Sequence, residues 1–407
     1  MIAKAFASTQ AAWRFYQNER VTLPQLARPL LAAGRKAVSE QCDDYVLVVH
    51  DWSNLHYTHH AGKKDRVELS QSKDLGYELQ AALLASDRTG APLAPVSLSL
   101  RAADGVHCSR QATVRQPLSS LDELAPAMTF VEKQKFAKPA VHVIDAEADS
   151  VGHYRQWLQQ PQRLFLVRAD AVRVVRYQGR SWALSKIRQQ LRKRNAFCRT
   201  RPVRYKGKTA WQWVAEVPVV LTRPARPQRN GQKRKAIPGP PAPLRLVITE
   251  LRDSAGKPLE VWYLLSNVPE KVPAATLALW YYFRWRIEDY FKLLKSAGQE
   301  LEHWQQADAA TIAKRLLIAS MACVIVWQLM QSNAPQAEEA RQLLVRLSGR
   351  QMKRARPFTA PALLAGLWVL LSVLYVLDHY PLKDLHRIAA NLFPDARASP
   401  VKGSKLV

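Results

Sequence analysis

Cysteine is scarce in this chain of 407 residues. Its four copies, Cys42, Cys108, Cys198 and Cys323, lie too far apart for the paired spacing of zinc or redox sites. That excludes a small disulfide-stapled scaffold and fits a reduced, intracellular compartment. Acids are scarce too: 33 Asp plus Glu face 60 Lys plus Arg, which leaves +27 and a pI near 10.2. The cation excess runs along most of the chain rather than in a tail, so it points to a polyanionic partner, nucleic acid first. No internal repeat is present. Residues 1–6 are followed too soon by polar residues to supply the apolar core of a secretory signal. The two longest apolar stretches, 316–330 and 362–377, fall short of the roughly 18 to 20 residues of a membrane span, so buried or dimer-packing helices are expected there and no membrane. With 48% hydrophobic residues, the chain can fill one large domain with insertions, or two to three smaller ones.

Helical patterns are expected at 9–18 and 23–33, the second with Pro24 in its first turn, where proline is tolerated. Residues 45–51 form a short β-branched run ending in Asp51, and 76–85 and 93–100 read as strands joined by the turn Asp87-Arg88-Thr89-Gly90. A helix is expected over 120–135. Residues 140–144 then make a buried strand from whose carboxyl end Asp145 emerges, with Asp149 as the cap of a helix starting near Val151. From 164 to 265 the pattern is mostly strand, clearest at 164–167, 211–220, 244–249 and 261–265. Within it, 222–243 carries Arg223, Arg226, Arg229, Lys233, Arg234 and Lys235 among prolines with no acid, which predicts a mobile basic loop. Beyond Val272 the chain reads as helix to a polar, basic tail after Pro394.

The chemistry concentrates near residue 288. At about 100° per residue, Tyr281, Arg284, Glu288, Lys292 and Lys295 fall within roughly 80° of one helix face, so one carboxylate is lined up with several cations. Two strand-end aspartates, Asp51 and Asp145, complete a set of hard oxygen donors suited to Mg2+. Two such ions about 4 Å apart would activate the attacking group, stabilise the leaving oxygen and neutralise phosphate charge. Each residue also has a plainer role: turn or cap for the aspartates, an i,i+4 pair with Lys292 for Glu288, a core aromatic on a strand for Trp262. The basic runs Lys63-Lys64, Arg192-Lys193-Arg194 and 201–208 suit contacts to a nucleic-acid backbone or simply a solvated surface.

Tyr281, Arg284, Glu288 and Lys295 resemble the Tyr-Arg-Glu-Lys signature of bacterial insertion-sequence DDE transposases, and Arg284-Trp285-Arg286-Ile287-Glu288 takes the form found in their hairpin-forming, cut-and-paste subgroup. Asp145-Ala146-Glu147-Ala148-Asp149 and Asp51-Trp52-Ser53-Asn54-Leu55 are similar to that family's second and first aspartate motifs, and Trp13-Arg14-Phe15 with Arg20-Val21-Thr22-Leu23 to its amino-terminal region. The resemblance runs from about residue 9 to 310. It implies an α/β fold: a ribonuclease H-like core (44–163 and 272–310) with a β-rich insertion (164–271) between the second Asp and the Glu, preceded by a shortened helical region (1–43) and followed by a helical carboxyl-terminal region (311–407) with a dimerising role.

On that resemblance, Asp51, Asp145 and Glu288 are catalytic and hold two Mg2+ ions, with Mn2+ able to substitute. Tyr281, Arg284 and Lys295 clamp terminal phosphates beside Lys292 and Arg286, and Trp262 stacks a flipped base. The implied activity is excision through a DNA hairpin and strand transfer into target DNA, by a homodimer on double-stranded DNA in the bacterial cytoplasm, at the nucleoid. The alternatives are an inactive DNA-binding derivative and a structure-specific nuclease of the same fold. Three departures stand out: Ala146 replaces an arginine frequent after the second Asp, little precedes the Trp13 region, and the pattern past about residue 331 diverges.

Overall fold

The computed structural model describes residues 2–392, apart from 71–72, 117–118, 227, 230–231, 234, 297 and 354–355. Arg234 and the tail after Pro394 therefore lie outside the described residues. The chain divides into two compact units, residues 1–324 and 325–407.

The first unit is organised by β1 (Val46–His56), because Val46 to Val49 are fully buried on both faces, as in a strand with covered sides. β2 (Val67–Glu68), β3 (Leu75–Ser86), β4 (Pro92–Ala102) and β5 (Gly105–Cys108) extend the sheet on one side as an antiparallel meander. On the other side β6 (Ala140–Ile144) and β7 (Leu164–Ala169) pair in parallel. The later strands join this same sheet: β8 (Val174–Tyr177), β9 (Arg180–Ala183), β10 (Cys198–Tyr205), β11 (Lys208–Leu221), β14 (Ala242–Arg252) and β15 (Pro258–Ser266), in the order β5-β4-β3-β1-β6-β7-β15-β14-β11-β8-β9 with β10 on β11. Two short strands, β12 (Gln228–Arg229) and β13 (Gln232–Lys233), pair within the basic segment 222–243, so part of the expected loop is a hairpin.

Helices cover this sheet. α1 (Ile2–Gln17) and α2 (Leu23–Gln41) open the chain, the latter well beyond the expected 33. Thr22 and Gln25 cap α2 reciprocally, Pro24 sits in its first turn, and Ala27, Leu30, Gly34, Ala37 and Val38 form one buried stripe. The expected helix 120–135 is a 3-10 turn followed by α3 (Leu124–Lys133). α4 (Val151–Leu158) and α5 (Leu184–Lys193) follow. Asp149 is not the cap of α4: its carboxylate accepts from Arg173 at 3.0 Å, from the Tyr154 hydroxyl at 3.0 Å and from the Asp170 amide at 2.9 Å, stronger partners than a helix terminus offers.

Two further differences bear on the site. Asp51 does not end its strand; β1 runs five residues on, because β3 continues to pair with it from Asp51–Ala81 to His56–Gly76. The expected single helix face from Tyr281 to Lys295 is split between α6 (Ala274–Phe283) and α7 (Arg286–Lys295), with Arg284 and Trp285 at the joint.

α8 (Ala309–Gln331) is mostly buried, in line with its apolar sequence, and Tyr290 and Ser320 hydrogen-bond at 2.7 Å where α7 meets it. Within the second unit, α9 (Pro335–Leu347) packs on α10 (Ala360–His379), and α11 (Leu382–Leu392) follows. At 23 and 20 residues, α8 and α10 exceed the apolar stretches read from sequence and are long and apolar enough to cross a membrane. α10 is buried only near its start: Ala362, Leu363, Leu364 and Gly366 are buried, whereas Leu371, Val373, Leu374 and Leu377 are exposed, so of the two expected roles, burial within the chain or packing on a second copy, its later part does not meet the first.

The position of α6 is set by the β3–β4 turn. Trp280 Nε1 donates to the Asp87 carbonyl at 3.1 Å. Gly90 has φ +67°, and a Cβ there would lie 2.3 Å from the Phe283 ring. Gly90→Ala is therefore expected to destabilise the protein by about 1–3 kcal/mol through combined backbone strain and displacement of Phe283; a denaturant midpoint equal to the parent's would show that this contact does not position α6.

Candidate active site

Two strands bring the aspartates together. β1 and β6 run parallel, and their register ends at His50 opposite Ile144, so Asp51 and Asp145 are the next residue on each. Beneath them, His50 Nε2 and His142 Nδ1 share a hydrogen bond of 2.8 Å between fully buried rings. Burial holds both imidazoles below their ordinary pKa, so the bond ties the two strands as a neutral pair. His142 Nε2 lies 3.5 Å from Glu132, which Arg163 grips with two bonds of 2.7 and 2.8 Å.

Glu288 reaches this point from α7, and Arg284, at the α6–α7 joint, links all three acids. Its Nη1 donates to Asp51 Oδ2 at 2.6 Å, and its Nη2 lies 3.0 Å from Glu288 Oε1 and 3.3 Å from Asp145 Oδ2. Arg284 is 6% exposed. Burial opposes its charge, yet Tyr281, Asp145 and Asp51 hold its pKa above the ordinary guanidinium value. Asp145 accepts further bonds from the Tyr281 hydroxyl at 3.0 Å and the Ala146 amide at 2.7 Å, with the Arg168 guanidinium 3.6 Å away. Burial pushes the Asp51 carboxyl up to about 6, against the pull of Arg284 and the Trp52 amide.

The other expected residues spread outward. Lys295 turns to the far part of β1, donating to the Asn54 carbonyl and lying 3.3 Å from Glu302. Lys292 is exposed on α7, away from the acids' joint contact with Arg284. Arg286 is exposed, 3.5 Å from Asp289, and lines a cavity of about 360 Å3 beside the acids. Trp262, 7% exposed, meets Tyr281 edge to face at 5.1 Å between centroids and faces the same cavity. Trp285, 54% exposed, and the β10–β11 turn, with Arg204, Tyr205 and Lys206, complete its wall.

Sequence reasoning missed Arg168. It lies on β7, the strand paired to β6, and supplies a cation next to Asp145 where position 146 is alanine. Its signal was a lone arginine in the apolar strand Leu164–Ala169, legible only once β7 is known to flank β6.

Asp51, Asp145 and Glu288 are hard oxygen donors with no sulfur or imidazole among them, a set that fits Mg2+ or Mn2+ rather than zinc. Among the described residues no three His, Cys, Asp or Glu groups are gathered closely enough to hold a metal ion as they stand. The three carboxylates meet around the Arg284 guanidinium instead, which offsets the repulsion that would otherwise part them.

Residues 43–325 match the family model of the transposase DDE domain, a span that begins just before β1, ends in α8 and includes all three acids. Comparison with curated proteins gave no match.

The raised Asp51 pKa has a signed consequence. Between about pH 4, the ordinary carboxylate value, and about 6, the folded protein binds more protons at this position than the unfolded chain, so ionisation of Asp51 costs stability as pH rises through that window. In buffer free of divalent ions, Asp51→Asn is expected to melt progressively higher than the parent from about pH 4 to 6, with the gap levelling above it; a pH-independent gap would contradict the burial of this carboxyl.

Proposed function

This chain belongs to the transposase DDE domain family, and on that premise we propose that it is a cut-and-paste DNA transposase that cleaves element ends through a hairpin and joins them to target DNA. The observation that carries the proposal is the meeting of Asp51, Asp145 and Glu288, from two strands and a helix far apart in sequence, at one guanidinium.

In this reading a ribonuclease H-like core, residues 44–163 and 272–310, carries the acids, and 164–271 is an insertion into it. Transposases of this class use divalent metal ions, and here Asp51, Asp145 and Glu288 would hold two Mg2+ ions, or Mn2+, which supply an activated attacking oxygen and a stabilised leaving oxygen. The protein's own groups do the rest. Arg284 keeps the three carboxylates gathered, and its planar fork suits a phosphate as well as a carboxylate. Arg168 and Tyr281 lie against Asp145, where they can bind the oxygens of a terminal phosphate. Lys295 anchors the end of β1 and adds positive charge along the strand's path.

The cavity of about 360 Å3 between Trp262, Trp285 and the β10–β11 turn offers aromatic walls to one unstacked base, with Arg204, Lys206 and Arg286 in its lining for the attached phosphates. Extruding a base there relieves the tight bend of a DNA hairpin. Holding two ends at once calls for a homodimer on the DNA. The medium is the cytoplasm, where the DNA is.

Two experiments test this. With the element's terminal DNA and Mg2+, the purified protein is expected to nick and then form hairpins, whereas Glu288→Gln binds the same DNA and cuts at background; cleavage retained in Glu288→Gln would remove that residue from the site, and binding without any nick by the parent would mark a non-cutting derivative. In the same experiment, joining of a pre-cleaved end to a plasmid separates a transposase from a structure-specific nuclease. In the second, Arg168→Ala is expected to weaken cleavage of the end by about 10- to 100-fold, the scale of one or two charge-assisted bonds to phosphate; parental cleavage by a folded Arg168→Ala would leave Asp145 without that phosphate partner.

A further inference from the structure

One group of charges lies apart from the cavity and the three acids. β14 and its neighbours alternate sides, and Thr249 pairs with Trp262, so Glu250 points to the opposite face of the sheet from Trp262. Register places Trp213 across from Glu250, Trp211 across from Arg252 and Arg199 across from Trp213, all on that face. α5 borders it.

Glu250 is fully buried and draws three guanidiniums. Arg188 Nε lies 2.6 Å from it, Arg192 donates two bonds of 2.8 Å, and Arg252 Nε donates at 2.7 Å. Arg252 also stacks over Trp213 at 4.3 Å, and Arg199 over Trp211 at 3.7 Å. Neutralising one carboxylate needs one cation. Here three guanidiniums meet one carboxylate, Arg199 adds a fourth charge, and a carboxylate offers only about four acceptor sites for their many N–H groups. The surplus is not balanced nearby in sequence: residues 171–215 contain no acid, and Lys186, Lys193 and Arg194 add exposed cations on and after α5. Stacking and the shared carboxylate hold the guanidinium planes in place, so little side-chain freedom remains to be lost when an anion arrives.

We propose that this face of the sheet, built on Arg188, Arg192, Arg199 and Arg252 with Trp211 and Trp213, is a second nucleic-acid contact that takes the phosphate backbone of duplex DNA, separate from the Asp51–Asp145–Glu288 site. It rests on the reading of the protein as a DNA-binding transposase and adds where a second stretch of duplex lies. A row of fixed cations favours backbone over sequence recognition. DNA gripped on both faces of one sheet must bend around its edge or belong to two separate duplexes.

The test uses the full chain and a fluorescein-labelled, mixed-sequence duplex in buffer without divalent ions, with anisotropy read across a salt series. Arg192→Gln combined with Arg199→Glu leaves Arg188 and Arg252 on Glu250, so the fold is kept. Affinity is expected to fall about 10-fold or more and the log–log salt slope by about two, one for each backbone cation removed. Parental affinity and slope in the folded variant would overturn the inference while leaving the proposed activity standing; a parent that binds no duplex would overturn both. Should the double variant fail to fold, a photocrosslinking benzoylphenylalanine at Lys193, exposed at the end of α5, is expected to attach to the same duplex, and no adduct under conditions where the parent binds would overturn the inference.

Discussion

The arrangement of the site depends on one guanidinium among three carboxylates. Asp51, Asp145 and Glu288 come from separate elements, and in a partly buried pocket their mutual repulsion would drive them apart or keep them protonated. Arg284 touches all three within 3.3 Å. Removing such a partner from a buried ionic group costs on the order of 3–5 kcal/mol, because the charges left behind are uncompensated. At the joint between α6 and α7, Arg284 reaches Asp51 and Asp145 and still pairs with Glu288 four residues on.

The rest of the first unit holds that meeting point in register. β1 and β6 are tied below the acids by the neutral His50–His142 pair, itself anchored through Glu132 to Arg163. From the other side, α6 leans on the β3–β4 turn through Trp280 and Phe283. The Asp51 carboxyl, pushed up to about 6 by burial, is the residue on which the arrangement is least at ease.

Charge is distributed on the sheet by face. Trp262, Tyr281 and the three acids lie on the side covered by α6 and α7, and Glu250 with its arginines on the side bordered by α5. Part of the net charge of +27 is held in place by stacking and shared carboxylates.

Much of this was legible along the chain. The apolar runs at 45–50 and 140–144 located the two central strands, and the i,i+4 spacing of Arg284 and Glu288 placed them within reach of each other, because local periodicity reports directly which residues share a face. What only the tertiary structure decided is pairing. That Asp51 lies mid-strand rather than at its end, that Arg168 lies beside Asp145, that Arg284 turns inward to the acids while Lys292 stays in solvent, and that Glu250 gathers three arginines all depend on which strand lies beside which. Sequence determines the side a residue faces through its period; its partner is set by register across gaps of tens to hundreds of residues, where the choice is made by the packing of the whole sheet.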